Sequence, residues 1–163
     1  MDQEATISNL FGKQIYKTTI HNYEIINKLL IPNIESFVKA KPGSVAATTD
    51  VMGNTNFTNL DDAVDDLHQK PMYMSLFSQL GQHVKAFLEA KGYNLNKFDA
   101  HFTKAWATYT VKDQHIASHK HTASHFSCVY YVRNEDMGNV KFEQELAAQT
   151  GLFIPPTEEY IKD

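Results

Sequence analysis

The chain is poor in cysteine, poor in positive charge and free of long apolar runs. Its single cysteine, Cys128, excludes an internal disulfide and suits a reducing compartment. A formal net charge of −4 and a pI of about 6.0 give no basic surface for nucleic acid or an anionic membrane. No stretch approaches the ~20 apolar residues of a membrane span. The opening MDQEATISNLFGK is acidic and lacks an apolar core segment, so it does not read as a signal peptide. There is no internal repeat and no low-complexity tract. What is present, 42% hydrophobic and 21% charged residues, is ordinary for a globular protein, and 163 residues suffice for one domain, 1–163. The expected location is cytoplasmic, with no membrane and no nucleic-acid partner. Nearly all basic residues are lysine, and asparagine and isoleucine are frequent. That usage suggests an AT-rich bacterial or phage genome, and a virion-associated location if of phage origin.

Taken in order, SNLFGKQIYKT (8–18) reads as an opening strand with Phe11, Ile15 and Tyr16 as buried candidates. A helix is predicted from about Asn22, a suitable N-cap, with Tyr23, Ile26, Leu29, Leu30, Ile34, Phe37 and Val38 at helical spacing. Pro32 falls inside the pattern and predicts a kink or a split. Residues 43–60, small and polar, read as a long loop with room for a short strand. DDAVDD (61–66) matches the aspartate-rich motif of prenyl-chain synthases. Those enzymes need a second such motif, which this chain lacks. Carboxylates in a helix first turn are the better reading. The clearest helix spans 71–91. Pro71 suits its first position, Tyr73, Leu76, Phe77, Leu80, Val84, Phe87 and Leu88 form one apolar face, and Gly92 suits the C′ position. Gly81 sits mid-helix, where it costs about 1 kcal/mol against alanine and suits a close approach. FDAHFTKAWATYTV (98–111) reads as a strand, and LFI in the tail as one more.

The chemistry concentrates in residues 104–143. His119 and His121 are spaced i, i+2, which on extended backbone puts both imidazoles on one face. Two neutral imidazoles side by side can chelate a borderline transition metal. His115 and His125 share their parity, so a metal-binding loop and a solvated histidine cluster are both open. FSCVYYV follows with the composition of a buried strand, RNEDMGN supplies turn chemistry, and VKFE returns as a second strand.

This stretch resembles a known family. Trp106 lies in a strand-like KAWATY. His119-x-His121 precedes a Ser127–Val132 strand, and Gly138–Phe142 follows as a G-x-L-x-F-like strand. That order is similar to Fe(II)/2-oxoglutarate-dependent oxygenases of the double-stranded β-helix type, and LFGKQIY is similar to their opening. The resemblance implies an α+β domain on a double-stranded β-helix (jelly-roll, cupin-like), complete or incomplete, with two N-terminal helices outside the sheet. Residues 8–100 would hold the N-terminal strand, helices and loop, and 101–155 the β-helix strands. It further implies His119 and His121 as metal ligands, Tyr131 as the group that binds the distal carboxylate of 2-oxoglutarate, and Fe(II) with 2-oxoglutarate as cofactors. Cys128 stands where the family often has glycine, which a small apolar thiol can replace.

One departure weighs against a complete site. The family's third ligand is a distal histidine, followed by an arginine that grips the cosubstrate. Here no histidine follows His125, and Arg133 is the only arginine. Two expectations are open: a dioxygenase domain or a fragment of one, and a non-catalytic structural or binding protein, such as a phage or bacterial assembly component, that keeps the fold without a complete iron site. A cupin also uses H-x-H, but adds a glutamate shortly after it, which this chain lacks. A truncated β-helix would expose strand edges, so homo-oligomerisation or an assembly partner is expected. The substrate is not legible.

Overall fold

A computed structural model describes residues 5–10, 13–39, 54–55, 66–110, 116, 118–119, 121, 124–134 and 140–142. Two strands open the chain, β1 (Thr6–Leu10) and β2 (Lys13–Lys17). They pair antiparallel, with Leu10 opposite Lys13 and Thr6 opposite Lys17. The expected single strand over 8–18 is therefore a hairpin. Ile15 and Tyr16 are half-buried on β2, and Phe11 lies outside the described residues. Tyr16 seats the hairpin on the second helix: its hydroxyl is 3.0 Å from His83 Nδ1 and its ring is 5.6 Å from that of Phe87.

Helix α1 (Tyr23–Lys39) starts where Asn22 takes a left-handed φ of 54°, a conformation asparagine tolerates better than most residues. The Asn22 carbonyl accepts the first helical bonds, from the N–H groups of Ile25 and Ile26. The helix buries Ile26, Leu30 and Ile34, one residue per turn, and leaves Tyr23 and Leu29 exposed. Pro32 lies within one continuous helical element and neither splits nor ends it. It lies on the exposed side, four residues after exposed Lys28, where water can satisfy the carbonyl that proline cannot serve.

Two short 3-10 turns, Leu67–Gln69 and Pro71–Tyr73, lead into α2 (Met74–Ala90). Gly92, at φ 84°, follows its end as the sequence predicts. The core gathers Ile20, Ile26, Leu30, Ile34, Leu67, Tyr73, Leu76 and Ala105. Tyr73 is its largest fully buried side chain, and its hydroxyl donates to Asn33 Oδ1 of α1 at 2.9 Å. Gln79 of α2 ties down the approach to α1 at two points. Its Oε1 accepts from His21 N–H at 2.8 Å, and its Nε2 donates to the His21 carbonyl at 3.2 Å. Gly81 shows no close approach among the described residues: a β-carbon there would meet Phe102 Cε2 at 3.9 Å, ordinary van der Waals contact.

The remaining sheet structure is small. β3 (Asn54–Thr55) pairs antiparallel with β4 (Thr108–Tyr109), and Asp66 makes a parallel bridge to Ala105. The expected double-stranded β-helix is overturned. Among the described residues there are two helices, one hairpin and one two-residue pair. The segment Phe126–Val132, read as a buried strand, joins no ladder, and neither does Val140–Phe142. The physical reason lies in where its side chains go. Phe126 packs on Phe87 of α2 at 6.3 Å, and Tyr130 and Val132 pack on the helical core. The Tyr130 hydroxyl donates to Asn27 Oδ1 of α1 at 2.5 Å, and Arg133 pairs with Glu35 of α1 at 3.1 Å. The segment thus covers helices, so the helices are not an outer layer on a sheet. Of 61–66 only Asp66 is described, and the LFI of the tail lies outside the described residues. No helix among the described residues is long and apolar enough to cross a membrane.

Candidate metal centre

The site is built from an anchored extended stretch and the histidine segment. Ala105 is buried, and its carbonyl accepts from Leu67 N–H at 3.1 Å. Ala107 and Tyr109 pack against the core, and Tyr109 also belongs to β4. With residues 105, 107 and 109 turned to the core, alternation puts Trp106 on the other side of the backbone, half-buried. The His121 ring lies there, 5.4 Å from the indole and inclined at 48°. The His119 ring lies beyond it, 4.9 Å from that of His121 and nearly perpendicular at 86°. The i, i+2 spacing therefore brings the two imidazoles together, as the sequence predicts.

Both histidines keep solvent access. The His121 pKa is nonetheless lowered, first by desolvation and then by repulsion from His119. A lowered value keeps the ring neutral at neutral pH, with a lone pair free for a Lewis acid. Two imidazoles at this spacing suit two positions on a borderline metal. Among the described residues no group of three or more histidine, cysteine, aspartate or glutamate side chains gathers at one point. His101 and His125 are exposed, and His115 lies outside the described residues. Tyr131 is 47% exposed, whereas its neighbour Tyr130 turns inward to Asn27. Cys128 is exposed.

Sequence reasoning missed two features. The Trp106–His121 contact joins residues fifteen apart in the chain, and no local pattern encodes it. The second is an open groove between residues 18–25 and α2, lined by His21, Asn22, Gln79, Gln82 and His83. The i, i+3, i+4 spacing of Gln79, Gln82 and His83 is its only trace in the sequence. Comparison of the chain with protein-family models, with curated proteins and with solved structures finds no match.

Proposed function

We propose that His119 and His121 supply two ligands to a divalent metal centre, that the metal is Fe(II), and that the centre serves 2-oxoglutarate-dependent oxygenation. The observation that carries this reading is the imidazole pair, 4.9 Å between centroids, with His121 biased to its neutral form. The resemblance of 104–143 to such oxygenases supplies the choice of metal and cosubstrate. The donor set fits two protein positions on the metal. Bound Fe(II) with chelated 2-oxoglutarate would activate dioxygen, the oxidant for C–H hydroxylation, with 2-oxoglutarate oxidised to succinate and carbon dioxide. His119 and His121 would hold the metal through their nitrogen lone pairs, Trp106 lies against one side of His121, and the resemblance assigns the Tyr131 hydroxyl as the group that would bind the distal carboxylate of 2-oxoglutarate.

A second reading, a non-catalytic binding module, is favoured by apolar surface in the same part of the chain. Val129, Tyr131, Val140 and Phe142 are 65%, 47%, 43% and 54% exposed. Such side chains suit association with a further chain.

Anaerobic titration with Fe(II), with and without 2-oxoglutarate, separates the two. The oxygenase reading expects a metal-to-ligand charge-transfer band in the ternary mixture, lost in His119→Ala/His121→Ala. Fe(II) binding without that band leaves the binding module. No Fe(II) binding overturns the metal centre.

A further inference from the structure

We propose that Trp106 is the positioning residue of the imidazole pair, an inference that rests on the metal centre argued above. The backbone on both sides of Trp106 is fixed. Before it, Ala105 is buried, bridged to Asp66 and hydrogen-bonded to Leu67. After it, Ala107 packs on the core and Thr108–Tyr109 pairs with Asn54–Thr55. The indole is therefore presented from a rigid strip. His119 and His121 themselves lie in no helix or strand, and both are exposed. An exposed imidazole on such backbone samples several rotamers, and ordering it on metal binding costs conformational entropy. The indole, 5.4 Å from His121, withdraws that freedom in advance, and the perpendicular His119 ring completes a continuous row of three rings. Supporting groups of this kind typically change metal affinity by about tenfold or more.

Trp106 is the only tryptophan in the chain, so it also reports on the site. The test titrates the full chain with Co(II) and follows the visible d–d bands together with tryptophan emission. Wild type is expected to develop the bands while Trp106 emission is quenched in parallel. Trp106→Ala is expected to bind Co(II) about tenfold more weakly with unchanged far-UV circular dichroism. Trp106→Phe, which keeps a planar ring, is expected to restore most of the affinity. If Trp106→Ala does not fold, Trp106→Leu keeps apolar bulk without the planar ring and should show the same weakening. Equal affinity in wild type and the Ala or Leu variant overturns the positioning role and leaves the metal centre standing. Bands that saturate without quenching also overturn it. No bands in wild type overturns the metal centre and this inference with it.

Discussion

Raising the pH should destabilise this protein through one side chain. Tyr73 is 2% exposed, and its hydroxyl donates to Asn33 Oδ1 at 2.9 Å. Burial pushes its pKa from the ordinary 10.0 up to about 12. The folded state therefore holds the phenolic proton more tightly than the unfolded state does. The associated stability is fully present below about pH 10 and is lost as the pH rises through about 12. A shift of about two units corresponds to roughly 2.7 kcal/mol at full ionisation, and about half of that is gone by pH ~11. This is a large share of the ~5–15 kcal/mol that holds a typical domain together. Tyr73→Phe removes the ionisable group and the hydrogen bond together. At neutral pH its cost is about 1 kcal/mol, because half-buried Asn33 loses its donor. The two effects oppose each other, so wild type is more stable at pH 8 and the advantage disappears near pH ~11. Urea denaturation of both proteins between pH 8 and 11.5 measures the difference, and tyrosines common to both cancel. Parallel stability curves for the two proteins across that range would refute the argument.

Two further outcomes follow from the same structure. Gly81→Ala should stabilise the protein by about 0.5–1 kcal/mol, since α2 gains helix propensity and, among the described residues, the new β-carbon meets Phe102 at an ordinary contact distance of 3.9 Å. A melting temperature that falls in this variant would show that the site is tighter than it looks. In an NMR titration, His121 should show a midpoint below the ordinary 6.5, and His119→Ala should move it only part of the way back, because desolvation is the larger cause and repulsion from His119 the smaller. The folded state disfavours the charged ring, so this contribution to stability is present above pH ~6.5 and is lost as the pH falls through the lowered value. Complete recovery of the midpoint in His119→Ala would reverse the order of the causes.

The helices were legible because their signals are local. Pro71, Gly92 and the apolar spacing between them depend only on the turn-by-turn geometry of one element. Of the kink and the split expected at Pro32, the split does not occur, for a reason the sequence does not carry: whether proline ends a helix depends on whether the orphaned carbonyl can reach water, and Lys28 and Pro32 are both exposed. The β reading of Phe126–Val132 failed because alternation reports two faces without naming what covers the inner one. Tyr130 and Phe126 find helices there, at Asn27 and Phe87, where the pattern suggested a sheet. At the candidate site, the i, i+2 rule placed His119 and His121 together. The Trp106 contact joins His121 to the anchored residues 105–109 and is tertiary, so no local pattern carries it.

The attachment of residues 130–133 to α1 has a kinetic consequence. The Tyr130–Asn27 and Arg133–Glu35 bonds close loops of 103 and 98 residues. The hairpin and the two helices need only near neighbours to begin forming. The entropy of closing long loops must be met before such distant contacts return anything, so they form late on the folding path. Pulse-labelling exchange should accordingly protect the amides of α1 and α2 first. The Tyr130 latch, and with it the docking of Phe126–Val132 on the helices, should set in as the last and slowest step.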